Sequence, residues 1–320
     1  MKNEAEDKHL RGIYDKRQAA LKWILVTCFG YLGYRNAKFG TVDGHIGVCA
    51  FGREALLKAA HTAEAHGFEV IHGIVDSLWL KKTDASIEDY NALCNVIAEQ
   101  ANVPITFEGR YKWIAFLPSK THPHIGVLNR YYGVMENGKV KVRGLEVRRR
   151  DTPRFVFDAQ TEMINTLAQA NNTAELRQKI PDALEIVKTY RQKLLNGEVD
   201  LWDLIITKHM SKHPDRYKQH VSQVIAAEQL MKEGAEIHAG NSVRFLFTHA
   251  EDKRHDRRVK AEQLIEKGVN PDVRKYLLLL YSSTANLLSF AGYTTKTVYD
   301  AVEKQKQKSL MNYVIIKEDT

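Results

Sequence analysis

Residues 125–151 read IGVLNRYYGVMENGKVKVRGLEVRRRD. Strand-forming residues crowd both sides of Glu136-Asn137-Gly138, and an Asn-Gly pair in that setting is a strong hairpin signal. The stretch therefore predicts antiparallel strands over 125–148, folded at 136–138. Beyond Pro153 the apolar residues switch to helical spacing, with long amphipathic stretches at 155–170, 173–196 and 272–291 and short β-like pieces near 204–207 and 243–247. Toward the N-terminus, residues 105–117 read as another strand and 86–101 as a helix. Residues 68–80 form a β-rich run with a turn near Gly73 to Asp76, preceded by a helix over about Val48 to Ala65. Helical spacing also runs from Tyr14 to Phe29 through Ala20, Leu21, Ile24, Leu25 and Cys28, up to the Gly30-Tyr31-Leu32-Gly33 break. The chain is read as α+β, mixed in its first half and mainly helical in its second, with a natural boundary at 151–154.

Composition narrows the function. The 320 residues are 44% apolar, enough for a real core and incompatible with a disordered tail. Lys and Arg number 47 against 39 Asp and Glu, a net charge of +8, which favours a polyanionic partner. Cys28, Cys49 and Cys94 contain no CxxC pair, which argues against a disulfide framework or zinc ribbon and for a reducing, cytoplasmic setting. No run approaches the roughly 20 apolar residues of a membrane span, and the segment from Lys2 to Lys16 is too charged for a signal peptide.

A few residues carry chemistry. Asp76 is an isolated carboxylate in an apolar strand-turn-strand, a costly place for a charge unless a cation compensates it, which makes it a candidate metal ligand; turn chemistry beside Ser77 is the other reading. On the first helix, Lys22, Val26 and Phe29 are spaced to share one face, and a cation beside an apolar shelf suits a triphosphate and a base. An ordinary solvated basic face fits the same spacing. Lys139, Lys141 and Arg143 alternate as one side of a strand and, with Arg148, Arg149 and Arg150, can track phosphates or simply protect a sheet edge. Tyr131, Tyr132 and the Lys253, Arg254, Arg257, Arg258, Lys260 cluster add to the case for nucleic acid. His122 and His124 have no metal-site spacing around them and read as loop surface.

Taken in order, these pieces resemble the C-terminal half of family B DNA polymerases from about Tyr14 to Gly292. Arg17-Gln18-Ala19-Ala20-Leu21-Lys22 through Val26-Thr27-Cys28-Phe29-Gly30-Tyr31 is similar to the fingers motif RQxAxKxxxNSxYGY. His72-Gly73-Ile74-Val75-Asp76-Ser77 stands where the family has YGDTDS, and Asn129-Arg130-Tyr131-Tyr132 where it has KKRY. Arg143-Gly144-Leu145-Glu146-Val147 with Arg149-Arg150-Asp151 resembles RGLExxRRD. Ile206-Thr207-Lys208 with Lys212, Pro214 and Tyr217, followed by His220-Val221, resembles the thumb pattern ITKxLxKxPxxY and PHV.

The resemblance implies a fingers helix with its leader at 1–33, the C-terminal part of an antiparallel palm sheet with packed helices at 34–152, and a mainly helical thumb and tail at 153–320. It implies transfer of a deoxynucleotide to a primer 3′ end, assisted by two Mg²⁺ ions. Asp76 would be a metal ligand. Arg17, Lys22, Val26 and Phe29 would face the incoming nucleotide, while Arg130, Tyr132, Arg143, Gly144, Arg149, Arg150, Lys208, Lys212, Tyr217 and His220 would contact primer-template DNA. The departures resemble those of the divergent second archaeal group: Ile74 replaces the first palm Asp, Val26 the fingers Asn, Phe29 the fingers Tyr, and Asn129 and Tyr131 two lysines of KKRY. Reduced activity is the expectation. Since the other palm Asp has no counterpart here, the resemblance implies a larger partner chain that supplies it and shares the metals, in a nucleoid-associated assembly; a natural split subunit and a truncated piece of a longer chain are both open. A non-catalytic DNA-binding or structural subunit is the alternative.

Overall fold

Two long helices open the chain in the computed structural model, which describes residues 7–119, 121–122 and 125–303. α1 (Lys8–Leu32) begins where the Asp7 side chain accepts the His9 N–H at 2.8 Å. α2 (Val42–Ala65) begins at Thr41, whose hydroxyl accepts the Gly44 N–H at 2.8 Å. Both caps satisfy amides that a helix leaves without an internal acceptor. The connection needs glycine at position 40, where a Cβ would lie 2.7 Å from the Tyr31 carbonyl oxygen. β1 (Glu69–Ile74) and β2 (Ser77–Lys81) pair antiparallel with Ile74 opposite Ser77, and α3 (Ile87–Ala101) follows a Ser86–Asp89 capping box. These elements form the first of two compact units, Met1–Glu108. Its core is small: Ala59, Ala63, Phe68, Ala85, Leu93 and Ile97. α1 contributes no buried residue.

The second unit, Gly109–Thr320, opens with the antiparallel sheet β3 (Tyr111–Pro118), β4 (Gly126–Met135) and β5 (Val140–Arg143). A 3-10 turn at Glu146–Arg148 leads into α4 (Arg154–Leu167), α5 (Thr173–Gln178) and α6 (Ile180–Leu195). A second antiparallel sheet joins β6 (Ile206–His209), β7 (Ser242–Phe247) and β8 (Val259–Ala261), with α7 (Ser222–Lys232) between β6 and β7. α8 (Val273–Leu287) and α9 (Thr295–Glu303) end the described chain. One core runs from Trp113 and Tyr132 in the first sheet through Met163 and Leu167 of α4 to Phe245 and Leu280. It crosses 151–154 without a break, so the change of pattern at Pro153 marks a change of element type inside one core.

The α+β reading holds. The 136–138 turn forms, closed by the Gly138 N–H on the Met135 carbonyl at 2.9 Å and the Lys139 N–H on the Asn137 side chain at 3.0 Å. Its second strand is far shorter than expected, ending at Arg143 instead of 148. Gly144 stops it: φ is +68°, and a Cβ there would stand 2.5 Å from the Asn129 carbonyl oxygen. Lys139 consequently belongs to the turn, and Arg148 to Arg150 leave the sheet altogether. α1 starts at Lys8, well before Tyr14. α7, β8 and α9 were not anticipated.

Candidate metal ligand and nucleic-acid interface

Asp76 lies at the tip of the β1–β2 hairpin, where Val75 and Asp76 make the turn. Val75 has φ +53°, a left-handed backbone that a β-branched residue adopts at a cost, and its side chain is 77% exposed. The tight Ile74–Ser77 pairing holds that conformation. Asp76 is exposed as well, and accepts a long 3.3 Å hydrogen bond from the Ser77 hydroxyl. Behind the tip, the His72 and Trp79 rings meet edge to face at 5.1 Å. Among the described residues no three His, Cys, Asp or Glu side chains gather closely enough to hold a metal ion. Asp76 thus presents one hard oxygen ligand and is not a complete site. Of the two histidines read as loop surface, His122 has its ring 3.0 Å from the Thr121 hydroxyl, and His124 lies outside the described residues.

On α1, Lys22, Val26 and Phe29 do share a face, whereas Arg17 stands about 140° around the helix from Lys22 at 100° per residue. All four are exposed. The aromatic end of the face is braced by α2: Phe29 stacks on His45 with ring centroids 4.3 Å apart, and His45 Nδ1 lies 3.1 Å from the Phe29 carbonyl oxygen.

The segment after Gly144 is held by two carboxylates. Glu146 accepts from Gln160 Nε2 at 2.8 Å and Asn286 Nδ2 at 2.6 Å. Gln160 is fully buried, and it also donates to the Ser283 carbonyl at 2.9 Å and accepts from the Val147 N–H at 2.9 Å. The 3-10 turn is thereby fixed to α4 and α8. Asp151 takes both Nε and Nη2 of Arg149, at 2.9 and 2.8 Å, and also Lys208 Nζ from β6. Burial pushes its carboxyl up, but these hydrogen bonds prevail and hold it at about 2. Arg130, Arg143, Arg148 and Arg150 make no ion pair with any described residue.

Farther along, the Tyr217 hydroxyl accepts the Ser211 N–H at 2.9 Å, and hydrogen bonding with Ser211 lowers its pKa. His220 stacks on His255 at 5.0 Å and, with Glu228, Lys232, Arg254 and Asp256, lines a cavity of about 310 Å³.

A sequence model of DNA polymerase family B matches residues 1–290. The chain belongs to that family. It is 29% identical over 297 residues to DNA polymerase 1 of Saccharolobus solfataricus, covering 91% of this chain and 31% of the relative. It is 24% identical over 316 residues to DNA polymerase 2 of Aeropyrum pernix, covering 96% and 37%. The structure of the family B DNA polymerase from the hyperthermophilic archaeon Pyrobaculum calidifontis superposes with a TM-score of 0.58 at 25% identity, covering 91% of this chain and 35% of that one. The chain thus spans about a third of the length of these relatives.

In this family B chain four of the residues expected at DNA, Tyr132, Gly144, Arg149 and Lys208, have structural roles of their own. Tyr132 has no exposed surface: its ring packs edge to face on Trp113 at 5.5 Å, and its hydroxyl has no partner among the described residues, so it is a core residue. Burial drives its pKa far up. Gly144 serves backbone geometry. Arg149 and Lys208 are already paired, whereas Arg148, which the resemblance passed over, is exposed and makes no ion pair with any described residue. No described helix is long and apolar enough to cross a membrane.

Proposed function

We propose that the chain forms the C-terminal part of a DNA-directed DNA polymerase, with α1 as a fingers helix, residues 34–152 as the C-terminal part of the palm and residues from 153 onward as the thumb. The carrying observation is Asp76, kept at an open hairpin tip in a chain whose family match runs over residues 1–290. An exposed carboxylate fits one position around Mg²⁺, which is commonly held by one or two carboxylates together with substrate phosphates. Bound there with a second ion, the metal would activate the attacking 3′ oxygen and neutralise the leaving pyrophosphate. Lys22 would hold the triphosphate, beside an apolar shelf formed by Val26 and the His45-braced Phe29. Free arginines of the second unit would track the primer-template backbone without reading sequence.

The second palm carboxylate would come from a larger chain seated on the first unit. Support for that partner is the surface itself. Of the 25 large apolar side chains exposed among the described residues, 19 lie between Leu10 and Val103, among them Trp23 at 69% and Leu25 at 72% on α1 and Phe51 at 79% on α2. Apolar exposure on that scale marks an interaction surface. Ile74 in place of the first palm Asp favours a second reading, a DNA-binding subunit that has lost synthesis.

Primer extension with Mg²⁺ and four deoxynucleotides separates the two readings, using this chain, the larger chain and their mixture. Polymerisation requires extension in the mixture alone, abolished by Asp76→Ala with DNA affinity unchanged. A complex that forms and binds DNA but never extends the primer establishes the non-catalytic subunit.

A further inference from the structure

Six cations surround the turn after β5: Arg143, Arg148, Arg149 and Arg150 by sequence, Arg130 through the close approach of β4 to Gly144, and Lys208 through its bond to Asp151. They are not equivalent. Asp151 spends one oxygen on Arg149 Nε and the other on Arg149 Nη2 and Lys208 Nζ, and its side chain is only 21% exposed. Parallel N–H···O bonds from a guanidinium to a carboxylate are the arrangement that a phosphate would otherwise take up with the same arginine. For DNA to take Arg149 by that Nε–Nη2 edge, or to gain the uncompensated charge of Arg149 and Lys208, it must displace a carboxylate that is already in place, and it leaves that carboxylate half-buried without its partners, which is costly. Arg130, Arg143, Arg148 and Arg150 carry no such cost, having no ion-pair partner among the described residues.

We propose that Asp151 acts as an internal stand-in for a DNA phosphate, withholding Arg149 and Lys208 so that Arg130, Arg143, Arg148 and Arg150 form the phosphate-tracking set. The inference rests on the DNA-binding reading above and assigns which cations carry it. Its carboxyl, held at about 2, stays charged throughout the working pH range. The same two bonds tie the Arg148–Arg150 segment to β6, so the withheld cations serve the fold while the free ones serve the ligand.

The test is the salt dependence of binding of the full chain to a fluorescent primer-template duplex, because log K falls by about 0.9 per phosphate contact for each unit of log salt. Asp151→Asn frees both cations at nearly constant shape. Its slope is expected to steepen by about one to two contacts, with affinity at 0.1 M salt roughly tenfold tighter. An unchanged or shallower slope, or weaker binding, overturns the inference while wild-type binding leaves the DNA-binding reading standing. If the wild type does not bind the duplex, that reading falls and the inference falls with it. Should Asp151→Asn not fold, Arg148→Gln and Arg149→Gln decide. The slope is expected to become shallower by about 0.9 for the first and to change little for the second; an equal loss from both overturns the proposal.

Discussion

The two units of the chain solve opposite problems. Residues 109–320 carry 35 Lys and Arg against 25 Asp and Glu, and one continuous core reaches both of the unit's sheets and most of its helices. Residues 1–108 carry 12 against 14, and bury a handful of side chains while most of α1 and much of α2 stay bare. Charge and exposed apolar surface are thus segregated. A basic unit with a finished core is suited to a polyanion, held by contacts that salt screens. A near-neutral unit with an unfinished core is suited to a protein surface that completes it, by contacts that salt barely affects. One chain can therefore be expected to separate its two kinds of partner by the physics of each half.

Removing one large ring from each half, a buried one from the second unit and an exposed one from the first, is the strongest way to break this contrast. Phe245 is 1% exposed and sits edge to face on Phe247 at 5.5 Å, so Phe245→Ala is expected to cost the second unit about 3–5 kcal/mol, read from denaturant unfolding of the isolated chain. Trp23→Ala removes a larger ring from the first unit, yet it is expected to leave the isolated chain's stability within about 0.5 kcal/mol. If the proposed larger chain covers α1, the effect belongs to association: that chain should bind about 2–4 kcal/mol more weakly, as at a tryptophan hot spot. A stability loss at Trp23 as large as that at Phe245 would erase the distinction between the units.

How far the sequence could be read follows from the same contrast. The hairpin at 136–138 was legible because Asn-Gly chemistry is local. Its overextension was not avoidable, since Lys-Val-Lys-Val-Arg continues in strand rhythm and only the close approach of Gly144 to Asn129 ends it. β8 is three residues long and exists through its pairing with β7, and the N-cap position of α7 is Val221, which makes no side-chain cap bond. Neither leaves a local signal. Asp76 stood out as a lone charge in an apolar run, but Tyr132 could not be placed, because an aromatic in a strand faces either way until its register is known. The pairing of Arg149 with Asp151 lay within two residues and could have been suspected; that Lys208 joins them is tertiary.

Gln160 tests whether the core of the second unit also shapes its surface. Replacing it with Leu keeps the volume but strands the Val147 N–H and deprives Glu146 of one of its two side-chain donors. A cost of about 2–3 kcal/mol is expected, since buried groups left unpaired pay their full desolvation. If the 3-10 turn presents Arg148 and Arg150, the salt slope of DNA binding should fall along with stability. Met163→Ala, in the same core but making none of the Glu146 and Gln160 hydrogen bonds, should lower stability and leave the slope alone.

The smallest effect is in pH. Asp151 titrates near 2 in the folded chain against an ordinary value of 3.8, so the unfolded chain takes up the proton first as acid is added. Its contribution is therefore complete above about pH 5, shrinks through the range between the two values and is gone below about pH 2. Because the side chain is partly solvated, about 1–2 kcal/mol is the expected size. Stability measured by denaturant from pH 7 to pH 2.5 should fall less for Asp151→Asn than for wild type, by that amount. Exposed carboxylates such as Asp89, whose pKa the Ser86 backbone and side-chain hydrogen bonds lower, add to the acid sensitivity of both proteins equally and cancel in the difference. A parallel pair of curves would mean that the Asp151 cluster contributes nothing to the fold, and that its two withheld cations are held for some other reason than stability.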